Sequence, residues 1–361
     1  MQQSKTYRRI DYSLIISVLL LSAYGLLLIY GATYNKGLDN FRTQAIWWTL
    51  GLILMAFAAI YSYSQLKHYI VIMYVANIIL LLAVLFTGSS SLGAQRWIQI
   101  GFFRLQPSEF CKLAMILVLA SFLSDKKGIL TGKDILKVFG LALPPVLIIF
   151  RQPDLGTALV VVFITVTMLL IAGMKMKHFL VICLIGLMGI FVVFNFNVLK
   201  PYQKNRLLVF VNSDLDPQGS GYNLKQSKIA VGSGGLLGKG LLSGTQTNLS
   251  FVPEAHTDFI FAVLGEKLGF FGASVLLVLY FILLTRAMRI SLMADNFFGS
   301  LTAMAIVFMW LFQITVNIGM TIGIMPVTGI PLPFISYGGS ALFTNLISCG
   351  LLLSIHARAI K

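Results

Sequence analysis

Charge is what this sequence has least of. Only 11% of its 361 residues are Asp, Glu, Lys or Arg, against about 25% in a soluble domain. Hydrophobic residues make up 58% and the mean hydropathy is +0.88. That excludes an ordinary soluble domain and leaves an integral membrane protein with many spans. Acidic residues are scarcest, 12 against 27 basic, so the net charge is +15. The basic residues are spread through short loops between apolar runs, which argues against a nucleic-acid partner. It fits membrane orientation and attraction for anionic lipid groups. The three cysteines, Cys111, Cys183 and Cys349, lie within apolar runs at no metal-like spacing and read as small core residues. The four histidines, His68, His178, His256 and His356, are scattered and form no zinc motif. No Walker A sequence or dinucleotide fingerprint is present, which argues against an ATP-driven pump. The Gly232–Gly235 stretch, GSGG, is too short to signal a nucleotide site. No nucleophile elbow or Cys/His pair stands out.

Long apolar runs are what the chain does have. About 20 apolar residues cross the hydrocarbon core as a helix. Ten runs qualify: Tyr12–Gly31, Gln44–Tyr61, Tyr69–Thr87, Glu109–Leu123, Leu136–Phe150, Leu155–Gly173, Phe179–Asn197, Thr257–Thr285, Phe297–Ile322 and Ser336–Ala357. The first ends without a small-x-small cleavage site and reads as a span, not a signal peptide. The fifth contains Pro144-Pro145, which predicts a kink. The expected fold is an all-α polytopic membrane protein of ten transmembrane helices, one domain over residues 1–361. Ten spans put both termini on one side. Lys5, Arg8, Arg9, Lys67, Lys126, Lys127, Lys133, Lys137, Lys175, Lys177, Arg286, Arg289, Arg358 and Lys361 collect there, against Lys36, Arg42, Arg96, Arg104 and Arg151 opposite. Fourteen against five makes the termini cytoplasmic. The large loop 198–256, between the seventh and eighth spans, is then extracytoplasmic. It predicts a short helix over Tyr222–Val231, with Leu224, Ile229 and Val231 able to lie on the membrane.

The polar end of that loop leads into the stretch FVPEAHTDFIFAVLGEKLGFF, Phe251–Phe271. It sets His256, Thr257 and Asp258 just before an apolar run, so Asp258 is expected at the outer membrane surface. There it can stay ionised and reach a substrate whose tail lies in lipid. Alternatively, Thr257 or Asp258 caps a helix. Other ionisable groups lie where they are expensive, at about 2.5 to 3.5 kcal/mol for a helix centre. Glu109 and Lys112, spaced i and i+3, share a helix face and read either as a structural ion pair or as the polar wall of a cavity. In the outer turn Arg151-Gln152-Pro153-Asp154, Asp154 reads as a helix cap and Arg151 as a bidentate phosphate ligand. Lys200, Lys204, Arg206, Lys225 and Lys228 add positive charge to the same side; they suit a pyrophosphate-bearing lipid or form a solvated basic face. Gly323–Gly339 predicts non-helical backbone near membrane depth, tolerated only where protein or a watery cavity covers it. Pro331, Pro333, Ser336, Tyr337 and Gly338 are therefore expected beside the cavity, with a rigid connecting loop as the other reading.

QPSEFCK, RQPDLGT, QSKIAVGSGGLLGKG, PEAHTDFIFAVLGEKLGF and NIGMTIGIMPVTGIPLPFISYGGS, in this order, resemble the SEDS family of cell-wall polymerases. PYQKNR, GTQ and MPVTGIPLPF resemble its RodA branch more than the FtsW branch. The resemblance covers essentially the whole chain. It implies a peptidoglycan glycosyltransferase of the bacterial cytoplasmic membrane, with its active site on the outer face. Such an enzyme polymerises lipid II into a lipid-linked glycan strand beside a class B penicillin-binding protein and the elongation machinery. The family's essential aspartate matches Asp258, its paired Glu and Lys match Glu109 and Lys112, and the acid of its RQPDLGT turn matches Asp154.

The implied chemistry is inverting transfer of a glycosyl group onto a sugar hydroxyl, and a hydroxyl needs a base within reach. Asp258 takes that role. The leaving pyrophosphate is stabilised by cations, for which Arg151, Lys112, Arg206 and Lys228 are the candidates, or by a divalent metal ion, Mg or Mn. The expected substrate-binding set is Glu109, Lys112, Arg151, Asp154, Arg206, Lys228, His256, Thr257, Ser336 and Tyr337, with no metal ligand assigned. Two other functions use the same groups: a lipid II flippase, which needs no base, and a non-catalytic scaffold for penicillin-binding proteins, which would tolerate Asn at Asp258.

Overall fold

A computed structural model describes residues 10–91, 94–101, 103–126, 130–195, 206, 208–210, 212, 215–217 and 219–359. Lys5, Arg8, Arg9, Lys127, Lys200, Lys204 and Lys361, which enter the charge reading, lie outside these residues, as does PYQKNR except for Arg206.

Helices dominate. In chain order they are α1 (Tyr12–Thr33), α2 (Asp39–Ile60), α3 (Tyr63–Thr87), α4 (Pro107–Ser124), α5 (Gly132–Arg151), α6 (Leu155–Ile171), α7 (Met176–Asn195), α8 (Ser220–Ser233), α9 (Thr245–Asn248), α10 (Ile260–Met293), α11 (Phe297–Ile322) and α12 (Gly339–Ala357). Seven of them, α1 to α4 and α10 to α12, are long and apolar enough to cross a membrane. The chain is a polytopic, mostly helical membrane protein.

Burial is sorted by helix. α4 is enclosed along nearly its whole length, and α11 and α12 bury most of their residues. α4 packs against α3, α6, α11 and α12, so it forms the axis of the bundle. α2 pairs with α12, and α1 with α10. Large apolar side chains of α3, α7 and α10 point outward instead, as residues facing lipid do.

The stretch between α3 and α4 folds into a three-stranded antiparallel sheet, β1 (Ser89–Ser91), β2 (Ala94–Ile100) and β3 (Phe103–Leu105), which the sequence reading did not anticipate. One expectation needs correction. Leu224 does not lie on the membrane: α8 turns it into the core at 2% exposure, while Ile229 is exposed. Pro333 is buried, and its carbonyl accepts the Tyr280 hydroxyl at 2.6 Å, which fits the reading of a rigid connecting loop.

Candidate active site

The segment before α10 is held by its backbone. Tyr337 N donates to His256 O at 2.9 Å, Ser336 Oγ to Thr257 O at 2.7 Å, and Asn317 Nδ2 to Asp258 O at 3.0 Å. Three successive carbonyls are thus each occupied by a donor from α11 or from the irregular crossing after it. Asn317 also donates to Ile330 O at 2.7 Å, and Ser336 Oγ accepts from Leu332 N at 2.8 Å, so the donors are themselves fixed. The His256 and Tyr337 rings lie 5.3 Å apart, and Tyr337 leans on Trp47 at 5.4 Å. Thr257 turns its hydroxyl back to Glu254 O at 3.0 Å.

Neither Thr257 nor Asp258 caps α10. Its N-cap is Phe259, and no side chain accepts from the first turn. The capping reading of Asp258 is therefore overturned, and its carboxylate is left for something else. That carboxylate faces Gly329, whose φ of +73° belongs to the region glycine tolerates best. A methyl group at Gly329 would lie 3.2 Å from Asp258 Oδ2 and 3.6 Å from Arg206 Nη1. A side chain at position 329 would crowd this carboxylate and the guanidinium beside it.

The α6 start closes the next side. Gly156 approaches so closely that a methyl group there would lie 2.8 Å from both Thr328 O and Ile330 Cγ1. One residue before α6, Asp154 accepts from Thr157 N at 3.3 Å, which confirms its cap role. It does more: Ser108 Oγ, Gln106 Nε2 and Thr157 Oγ1 donate to its Oδ2 at 3.0, 3.1 and 2.9 Å. Arg96 reaches Asp154 Oδ1 at 3.9 Å and also donates to the carbonyls of Gln152 and Pro153. The basin is therefore framed by Arg96, Asp154, Asp258 and Arg206.

Burial in this surround pushes the Asp258 carboxyl above the ordinary carboxylate range. Arg206, and after it Arg96, pull the other way, while Glu254 and Asp154 add to the rise. The result is a carboxylate with more affinity for a proton than a surface aspartate has, flanked by two guanidinium groups.

The remaining predicted residues divide. Glu109 and Lys112 form an ion pair of 2.7 Å with both side chains 2% exposed. Lys112 is thereby engaged, and Ser108 next to the pair carries the contact to Asp154. Lys228, on α8, lies across the C-terminal end of α11: a methyl group at Gly323 would be 2.5 Å from its Nζ. A cation is favoured at that helix end, and Ser227 Oγ donates to Thr321 O at 2.7 Å beside it. Arg151 is not brought into the basin. It ends α5, exposed, beside Leu85, Leu147, Ile148 and Phe150.

Arg96 holds the place expected of Arg151, and the sequence reading missed it along with Asn317 and Gln106. The signal for Arg96 is the run AQRWIQI between Gly93 and Gly101, short, rich in Ile and Trp and bounded by glycines as strands are. Among the described residues no group of three or more His, Cys, Asp or Glu could hold a metal ion. Among the described residues, therefore, the donor set does not fit a divalent cation held by protein ligands alone.

Residues 11–361 match the family model described as FtsW/RodA/SpoVE cell cycle protein. The chain belongs to the FtsW/RodA/SpoVE family. Stage V sporulation protein E of Bacillus subtilis (strain 168) is 40% identical over 356 residues, 96% of each chain. Peptidoglycan glycosyltransferase RodA of Treponema pallidum (strain Nichols) is 33% identical across 96% of this chain and 98% of its own. A solved chain from a peptidoglycan synthase complex that coordinates polymerization and crosslinking superposes with a TM-score of 0.84 at 32% identity, covering 96% of this chain and 97% of that one. The family that the five motifs resemble is thus the one to which the chain belongs.

Proposed function

We propose that this family member is a peptidoglycan glycosyltransferase, which polymerises lipid II into a lipid-linked glycan strand with Asp258 as general base. One observation carries the assignment of the base: the backbone of residues 256 to 258 is fixed at every carbonyl, while no hydrogen bond among the described residues occupies the Asp258 carboxylate. A group held in place by its backbone, with its side chain outside the hydrogen bonds described, is suited to taking a proton from a substrate. Relatives named as peptidoglycan glycosyltransferases support the reaction class.

In the reaction, Asp258 accepts the proton of the acceptor sugar's 4-hydroxyl. That oxygen forms a bond to the anomeric carbon of the donor, and the bond from that carbon to the lipid pyrophosphate breaks with inversion. The electron pair leaves on the pyrophosphate, where Arg206 and Arg96 stabilise the developing charge. No covalent enzyme intermediate is needed. Asp154 holds Arg96, and Glu109–Lys112 braces the helix that carries Ser108. His256, Thr257, Ser336 and Tyr337 fix the floor.

Ten helices of 17 residues or more, in the positions of the ten apolar runs, support a ten-span topology, and the Lys/Arg bias of the short loops then makes both termini cytoplasmic. The loop 198–256 and Asp258 then face outward, where lipid II is used. The RodA-like motifs support a role in elongation, and the relative from a polymerization and crosslinking complex supports a class B penicillin-binding protein as partner.

The test is glycan-strand polymerisation from purified lipid II by wild type and Asp258→Asn, with and without a cognate class B partner. Loss of a general base is expected to cost about 10²- to 10⁴-fold in rate, in a variant that elutes as wild type does. Equal polymer from both proteins removes Asp258 from the chemistry. No polymer from wild type, even with its partner, moves the assignment to a flippase or a scaffold.

A further inference from the structure

The helix that follows Asp258 is broken and repaired by a loop. α10 departs from helical geometry at Gly269, with φ +63° and ψ −159°. A break there removes the carbonyl partners of Phe270 N and Phe271 N, and frees the carbonyls of Glu266 and Lys267, since a helix pairs each amide with the carbonyl four residues back. The turn 234–240 satisfies all four groups. Phe270 N donates to Gly235 O at 2.9 Å and Phe271 N to Leu236 O at 3.0 Å; Lys239 N donates to Glu266 O and Gly240 N to Lys267 O, each at 3.0 Å. The backbones touch closely enough that a methyl group on Gly269 would lie 2.4 Å from Gly238 N.

Side chains lock the splice. Glu266 accepts from Thr247 N and Oγ1, Gln246 N, Thr245 Oγ1 and Lys239 Nζ at 2.8 to 3.2 Å. Lys267 Nζ donates to Leu241 O and Asn248 Oδ1, both at 2.8 Å. Both side chains are sealed from solvent.

The splice sets the tip of the turn beside the first turn of the span. Leu236 and Leu237 are 74% and 82% exposed, and the adjoining Phe270 and Phe271 are 68% and 66% exposed. Lys239, the charge next to the tip, is drawn inward to Glu266. The patch runs on without interruption into the outward face of α10, with Leu277, Val278 and Phe281 also exposed. No charge occurs from Leu268 to Thr285. A patch continuous with a lipid-facing helix, and lacking charge, has acyl chains as its natural cover.

We propose that the turn Gly234–Gly240 is a membrane wedge. Leu236 and Leu237 insert among the acyl chains of the leaflet on the Asp258 side and anchor to the bilayer the short helical piece that follows Asp258, from Ile260 to Leu268. This rests on α10 being a membrane span, and holds whether or not Asp258 is the base.

The test uses the full chain with Cys183→Ser, since Cys183 is the exposed cysteine while Cys111 and Cys349 are buried. Leu237→Cys is labelled with an environment-sensitive fluorophore and reconstituted into phosphatidylcholine–phosphatidylglycerol vesicles. Phe271→Cys, treated alike, gives the reference depth. Elution as a single species in detergent shows that each variant folds. The wedge predicts blue-shifted emission at 237, quenched by lipid bearing a nitroxide near the headgroup and unaffected by aqueous iodide, matching 271. Quenching by iodide but not by the nitroxide lipid would overturn it. So would protection from both quenchers that appears only on adding a class B penicillin-binding protein, which would assign the patch to that partner.

Discussion

Two carboxylates eight residues apart in one segment are treated in opposite ways. Glu266 is sealed, with five donors on its two oxygens. Asp258 has its backbone carbonyl held by Asn317, while its side chain takes no hydrogen bond among the described residues. Saturating a buried carboxylate makes it a rivet, because removing any partner leaves an unpaid desolvation cost. Fixing the main chain and leaving the carboxylate open does the reverse: position is secured by groups the reaction does not consume. Sequence position alone ranks the two acids alike, and their hydrogen-bond environments separate them.

The sharpest way to break that comparison is to remove Glu266. Glu266→Ala strands Lys239 and the start of α9, and leaves Lys267 buried beside an empty site. The expected loss is toward 5 kcal/mol, the upper end for breaking a buried ionic site. It reads as a large drop in the thermal midpoint in detergent. Asp258→Asn is expected to leave that midpoint near wild type while removing activity. A comparable drop in midpoint for both variants would mean that Asp258 is a structural acid too.

Much of this was legible in the sequence, for reasons that differ by residue. Apolar run length sets helix positions because lipid leaves the backbone no other partner, and the ten runs and ten long helices overlap one for one. The irregular crossing after α11 was legible from its glycines and prolines, and Gly323 indeed ends α11 in a left-handed conformation at φ +82°. Asp258 stood out as an acid before a span, and the motifs carried Glu109, Lys112 and Asp154. What local reading missed depends on contacts between residues distant in sequence. Arg96 enters the basin only because β2 carries it to the Gln152–Asp154 turn, and no spacing within the chain encodes that approach. Arg151, three residues from Asp154, was the natural guess, yet the end of α5 turns it outward. The repair at Gly269 was equally hidden, because GEKLGFF reads as helix with a tolerated glycine.

Glu109 and Lys112 bring the comparison to a third site, closed like Glu266 yet linked to the basin through Ser108. Lys112→Ala leaves a buried glutamate unpaired and is expected to cost about 3 kcal/mol. Pairing it with Glu109→Gln removes the stranded charge, so the double variant should regain most of the lost thermal midpoint. If polymerisation returns with it, the pair is a brace between helices. If stability returns and activity does not, Lys112 serves the substrate directly, and a closed ion pair is no longer a mark of structure alone in this protein.

The smallest effect concerns the cation beside the open carboxylate. Burial raises the Asp258 carboxyl, Arg206 and Arg96 hold it down, and Glu254 and Asp154 push it up. A base works only when ionised, so activity is lost as pH falls through the raised value, and the acid limb lies above that of an ordinary aspartate. Arg206→Gln deletes the largest opposing influence. Asp258 then binds its proton more tightly, and the acid limb of kcat/KM moves to higher pH, with partial recovery of rate on the alkaline side. That shift is measured by polymerisation rate against pH at limiting lipid II. A limb that stays in place while KM rises at every pH would show instead that Arg206 grips the pyrophosphate without tuning the base, and the openness of Asp258 would then rest on the fixed backbone alone.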